Sequence, residues 1–219
     1  MPLKFHRYLS DQTELGAWRI EESEAYFLDR MHLTETEQKQ LEPIKGHRRL
    51  EWLAGRWLLH IMSGRSVRAA CLKDEFGKPY LENSAFEISI SHSRTLATVM
   101  AAPVPVGVDI QKIVSKIERI AHKFMNQAES ESLQVPSRIP HLHVYWGAKE
   151  ALYKAYGRRQ LDFKKHILID PFSYDEAGGA ITGSIHFNDF HANYQLSYER
   201  IDREFVLVYA RESHRQTAD

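Results

Sequence analysis

Cysteine is nearly missing from this chain. Cys71 is the only one in 219 residues, which excludes an internal disulfide and a thiolate-built zinc site. Net charge is missing too, because Lys+Arg and Asp+Glu each number 29. Binding of nucleic acid through overall charge is thereby excluded, whereas a local basic pocket is not. No apolar run approaches the roughly 20 residues that a membrane-spanning helix needs. Residues 1–10 contain no apolar signal core. The chain has no P-loop, no GxGxxG and no Gly-x-Ser-x-Gly turn to present a nucleophilic serine. These absences leave a soluble, cytoplasmic protein of one domain or two small lobes, with no membrane and no nucleic acid as partner.

The composition that remains is ordinary for a globular protein, 43% hydrophobic and 26% charged. Histidine is plentiful, with twelve. The pairs His141/His143 and His186/His191 lack the HExxH spacing, so they read as packing or surface residues. Residues 47–63 predict the best helix of the first half. Leu50, Leu53, Ala54, Trp57, Leu58 and Ile61 form a stripe at 3.6 spacing. Gly55 inside it costs about 1 kcal/mol against alanine, so it marks a close approach. Arg48, Arg49 and Arg56 lie around this helix, either simply solvated or as forks for phosphate. Thr34 with Glu37 fits a capping box. Residues 73–80 read as a turn punctuated by Gly77 and Pro79, with Lys78 between them.

Alternation over 86–91 predicts a half-buried strand running into His92. Strands follow at 95–102 and 106–110, and Asp109 is a carboxylate set inside the second of these apolar runs. A buried carboxylate must be paired, bonded or metal-bound. Residues 117–125 read as a helix and 129–141 as a loop or short helix. Further strands are expected near 161–169, 181–187, 194–200 and 204–211, with frayed residues at 212–219. The boundary between two similar α+β halves falls near 103–107.

The most unusual stretch is 144–157, a helix by composition with Gly157 as its stop. Trp146, Lys149, Glu150, Tyr153 and Lys154 share one side of it. Two aromatics, a carboxylate and two ammonium groups suit neither a plain core face nor a plain solvent face. Glu150 and Lys154 alone make an i,i+4 pair worth a few tenths of a kcal/mol and no function.

Three motifs stand in order. Gly77-Lys78-Pro79 is followed by Ile90-Ser91-His92-Ser93. Gly107-Val108-Asp109-Ile110 comes next. Trp146 with Lys149-Glu150-Ala151 and Lys154 closes the series. Together they resemble the 4′-phosphopantetheinyl transferase superfamily in its long, surfactin-synthetase-activating form, over roughly residues 44–172. The resemblance implies an α+β fold of two similar lobes, a pseudo-dimer with a small, mainly antiparallel sheet packed on helices in each. The lobes would be 1–104 and 105–219, with one active site between them in a monomer.

The reaction implied is transfer of the phosphopantetheine arm of coenzyme A to a serine of an apo acyl or peptidyl carrier protein. Adenosine 3′,5′-bisphosphate is released, and magnesium, or manganese, is required. The resemblance implies that Asp109 and Glu150 hold the cation and that Lys154 neutralises the transferring phosphate. It implies coenzyme A contacts at Arg48, Arg49, Arg56, Lys78, Ser91 and His92. Many members carry a second acid where this chain has Gln111. As i and i+2 on a strand share a face, Gln111 is expected to point at the metal region, directly or through water. A rival reading is a binding module of the same fold with reduced catalysis, and a second is a phosphate-binding protein of another class.

Overall fold

The structure is a computed structural model that describes residues 2–10 and 12–213. Most of the segment expected to fray, 212–219, lies outside the described residues. The chain divides into two compact units, Met1–Val104 and Pro105–Asp219.

The first unit begins with the strands β1 (Leu3–Ser10) and β2 (Thr13–Arg19). Helices α1 (Glu24–Met31), α2 (Glu35–Leu41) and α3 (His47–Ser63) follow. Strands β3 (Cys71–Lys73), β4 (Pro79–Leu81), β5 (Glu87–Ser93) and β6 (Leu96–Ala102) complete it. The sheet order is β1-β2-β6-β5-β4-β3, antiparallel throughout. Leu53, Ala54 and Leu58 of α3 are fully buried in one core with Ala97 and Val99 of β6. Gly55 lets α3 close on the sheet, since a Cβ there would lie 2.9 Å from Ile90 Cγ2. The stretch 73–80 is more than a turn. It is a short hairpin of β3 and β4 closed at Gly77, whose φ of 89° suits glycine. Three-residue strands are too short to show alternation, which is why the sequence displays only the turn.

The second unit opens with β7 (Val106–Lys112), a 3-10 turn at Ser115–Ile120 and the short helices α4 (Ala121–Phe124) and α5 (Gln127–Glu131). The long helix α6 (Arg138–Tyr156) leads to β8 (Ile167–Ile169), β9 (Gly179–Phe187), β10 (Phe190–Ile201) and β11 (Phe205–Glu212). Its antiparallel order is β7-β11-β10-β9-β8. Without β1, the first unit follows the same path of strand, helices and four more strands, with the last strand paired to the first. The fold is thus α+β in two similar units. The expected helix at 117–125 is a 3-10 turn followed by a single α-turn. Only Ile117 and Phe124 of these two turns are buried, too small a face to hold a regular helix. Conversely, α6 starts earlier than expected and includes Pro140. Proline costs little in a first turn, where the N–H has no helical partner.

Both units fasten their helices in one way. Thr34 and Asn126 cap α2 and α5 through capping boxes whose acids, Glu37 and Glu129, are fully buried. Glu37 pairs with Arg68 and accepts Cys71 N–H at 3.1 Å. Glu129 pairs with Lys149 at 2.8 Å and accepts Ile169 N–H at 3.0 Å. Each acid therefore ties a helix start to the edge strand of its sheet. No helix among the described residues is long and apolar enough to cross a membrane.

Candidate active site

β7 and α6 meet at unusually short range. A Cβ on Gly107 would fall 2.6 Å from the carbonyl carbon of Ala151 and closer still to its oxygen. Only glycine permits that contact of strand and helix. The approach sets Asp109, two residues along β7 and 8% exposed, against the part of α6 that carries Glu150 and Lys154. Lys154 Nζ donates to Asp109 Oδ1 at 2.7 Å and to Val108 O at 2.9 Å. The lysine thus serves the strand, which its i,i+4 spacing from Glu150 does not reveal.

Glu150 is half-buried. Burial first, and then the charge of Asp109, push its carboxyl up to about 7, while Lys154 pulls it down. Two carboxylates and one ammonium thus converge in a partly desolvated place, where a cation or a phosphate oxygen is felt more strongly than in water.

Gln111 lies on the same strand face, two residues beyond Asp109. Its Nε2 donates to Asp109 Oδ2 at 3.0 Å and to His143 O at 3.3 Å. Its Oε1 lies 2.7 Å from His143 Nδ1. Gly147 leaves room for this amide, since a Cβ there would sit 3.0 Å from Gln111 Nε2.

Lys149 points elsewhere. It is fully buried and donates to Phe163 O at 2.8 Å and Ile167 O at 2.7 Å besides Glu129. Burial lowers its pKa and Glu129 acts against that shift. Trp146 stacks on Phe163 at 5.4 Å and meets Phe124 edge-on at 5.0 Å. Tyr153 packs on the same Phe163 at 5.3 Å. The two aromatics anchor α6 to the loop after it.

The first unit holds the other candidates, which fall into distinct environments. Arg48 is exposed at the start of α3. Arg49 is tied down, with Nε donating to Glu24 at 2.9 Å and Nη1 to Leu41 O at 3.0 Å. Arg56 is 5% exposed and its guanidinium lies 3.4 Å over the Trp52 ring. Its Nε has no hydrogen-bond partner, and burial lowers its pKa. Lys78 Nζ reaches Glu87 at 2.6 Å. Ser91 is buried, whereas the neighbouring His92 side chain is 43% exposed and holds Glu51 at 2.9 Å through Nδ1. His47 Nε2 lies 2.7 Å from Arg94 O, which brings the start of α3 to the β5–β6 turn beyond His92.

Residues 105–210, just under half the chain, match the family model of the 4′-phosphopantetheinyl transferase superfamily. Asp109, Gln111, His143, Glu150 and Lys154 all lie within that stretch. Over that stretch, the second unit is similar to this superfamily. The chain is also similar to the 4′-phosphopantetheinyl transferase gsp of Aneurinibacillus migulanus, at 29% identity over 113 residues. That match covers 49% of this chain and 46% of the relative, so it spans about half the length of each.

The donor set bears on the metal that transferases of this superfamily imply. Among the described residues, no group of three or more His, Cys, Asp or Glu side chains is placed to hold a metal ion. Asp109 and Glu150 supply two carboxylates, a hard oxygen set. Magnesium takes one or two carboxylates and fills the rest of its octahedron with water and substrate phosphate, so the residues present fit it.

Two residues, Glu51 and Glu129, escape the sequence reading, and His143 figures there only as a packing or surface residue. Glu129 carried a usable signal, as the third residue after Asn126 in a capping box. Glu51 and His143 meet partners 41 and 32 residues away in the chain, and local patterning does not reach that far.

Proposed function

We propose that this protein transfers the 4′-phosphopantetheine arm of coenzyme A to a serine of an acyl or peptidyl carrier protein. The serine oxygen forms a bond to the phosphorus that carries the pantetheine arm. The bond from that phosphorus to the bridging oxygen breaks, and adenosine 3′,5′-bisphosphate leaves. What carries this reading is the convergence of Asp109, Glu150 and Lys154 where β7 meets α6, inside the stretch that matches the superfamily.

Asp109 and Glu150 would hold a magnesium ion, with manganese as a substitute. The ion would draw off charge from the pyrophosphate as its bridging bond breaks. Lys154, fixed at Asp109 Oδ1, adds a neutralising charge for the phosphoryl oxygens. Glu150 orients the serine hydroxyl, whose proton passes to water. For the 3′-phosphate of coenzyme A the reading relies on Arg48 and His92, both exposed. Ser91 adjoins His92 on β5, whereas Lys78 is held by Glu87 at the other end of that strand and takes a supporting place. Arg49 and Arg56 take supporting places, since one fork is engaged by Glu24 and the other is buried over Trp52.

Incubation with coenzyme A, magnesium and a panel of apo carriers, read by intact mass, tests the proposal. One carrier should gain the mass of one phosphopantetheine group, and Asp109→Ala or Glu150→Ala should abolish the gain. A panel left unmodified by the wild-type protein would favour the binding-module reading. Modification at the wild-type rate by either variant would refute the site.

A further inference from the structure

Gln111 occupies a position that sequence reasoning assigns to metal ligation, yet its surroundings dictate a different task. Asp109 Oδ2 and His143 O both stand within reach of one end of the amide, at 3.0 and 3.3 Å. Both are acceptors only. That end must therefore be the NH2 group, with one hydrogen for each oxygen. Oε1 is then forced towards His143 Nδ1, at 2.7 Å. An acceptor there requires Nδ1 to carry the proton. The other ring nitrogen, Nε2, is left to accept the Val114 N–H at 2.9 Å, although it also lies 3.1 Å from Val114 O.

The hydrogen bonds therefore run in one direction. Val114 N–H donates to His143, His143 donates to Gln111, and Gln111 donates to Asp109 Oδ2. Lys154 meets the opposite oxygen of that carboxylate. His143 is 2% exposed and sits one helical turn before Gly147, which gives the amide its space. The imidazole hydrogen-bonds to Gln111, and Gln111 in turn to the Asp109 carboxylate.

We infer that His143 is a positioning residue which, by fixing the Gln111 amide, sets the orientation of the Asp109 carboxylate for cation binding, with Gln111 outside the coordination sphere. This rests on the proposed role of Asp109 as a metal ligand. Partners behind a ligand of this kind typically contribute about 10–100-fold in metal affinity.

Manganese titration of the purified protein without coenzyme A, followed by the loss of the free-ion electron paramagnetic resonance signal, reads that affinity directly. His143→Leu and Gln111→Leu should each weaken binding at least about 10-fold, and the double variant should lose no more than either single one. His143→Gln retains a donor for Oε1 and should recover most of the affinity. If Gln111 is instead a ligand through Oε1, removing His143 frees that oxygen. His143→Leu would then bind manganese as tightly as wild type while Gln111→Leu alone is impaired, and the inference is overturned. Wild-type affinity in Gln111→Leu overturns it as well, even if His143→Leu does not fold. A wild-type protein that binds no manganese overturns both this inference and the cation in the proposed function. Equal binding by all variants overturns the inference alone.

Discussion

Replacing Gly107 with alanine adds one methyl group where the structure has no space for it. The new Cβ would lie 2.6 Å from the Ala151 carbonyl carbon and 3.0 Å from its Cα. Comfortable carbon–carbon contacts are about 3.5–4.0 Å, and the carbonyl oxygen lies nearer still, so α6 must retreat from β7 by at least about 1 Å. The obstacle is helix backbone, and no side-chain rotation relieves it. Overpacking of this kind costs about 1–3 kcal/mol, and a backbone obstacle places this case near about 3 kcal/mol. For a chain of this length that lowers Tm by about 6–12 °C.

The retreat occurs at the residue next to Glu150, so chemistry should suffer beyond stability. A 1 Å misplacement can cost about 100-fold in rate. Thermal unfolding by circular dichroism and the intact-mass transfer assay, run below the lowered Tm, separate the two effects. Gly55→Ala is the control. Its Cβ would meet a single side-chain methyl, Ile90 Cγ2, at 2.9 Å, which must give way with its stiff β-branched side chain, whereas no backbone atom stands in the way. About 1 kcal/mol of helix propensity gained offsets that crowding. If Gly107→Ala melts within a degree of wild type and transfers at the wild-type rate, the close seam does not position the acid site and the reasoning fails.

Two further outcomes are expected. Lys149→Met should cost about 3–5 kcal/mol in urea unfolding, because it leaves the Glu129 carboxylate buried without its cation; Lys149→Met combined with Glu129→Gln should recover part of that loss. His141 is fully buried among Tyr145, Phe172 and Tyr174, its Nε2 has no partner, and burial lowers its pKa to about 4. The unfolded chain then takes up this proton first, so the folded state loses stability as pH falls from about 6.5 and the loss levels off below about 4, at about 3 kcal/mol. The difference in urea stability between wild type and His141→Phe should show that slope between pH 6.5 and 4, and a difference that is constant with pH would contradict it.

The sequence showed much of this arrangement wherever the information was local. The α3 helix, the capping box at Thr34 and the stop at Gly157 were all written in neighbouring residues. The spacing on α6 also showed that Glu150 and Lys154 share a face. It did not show that Lys154 reaches across to Asp109, because the i,i+4 rule offers Glu150 as a sufficient partner. Asp109 within an apolar run announced a buried carboxylate without saying what would meet it. Lys149 was visible as part of a motif, but its task depends on Glu129 and on the carbonyls of Phe163 and Ile167, which only the fold assembles. The three arginines around α3 looked alike in sequence. Burial over Trp52 and the fork on Glu24 separate Arg56 and Arg49 from Arg48, and neither environment leaves a local mark.

The two units repeat one path, yet the seam between first strand and long helix is filled differently in each. In the first unit, a Cβ on Gly16 would meet the Met62 thioether and a Leu58 methyl, both side-chain ends. In the second, Gly107 meets bare helix backbone. A seam lined with a pliant thioether tolerates drift, because methionine adapts its shape to new neighbours. A seam of backbone against backbone does not. Over generations of mutation the first copy of the path is therefore free to vary at its seam, while the second is confined to glycine at one position.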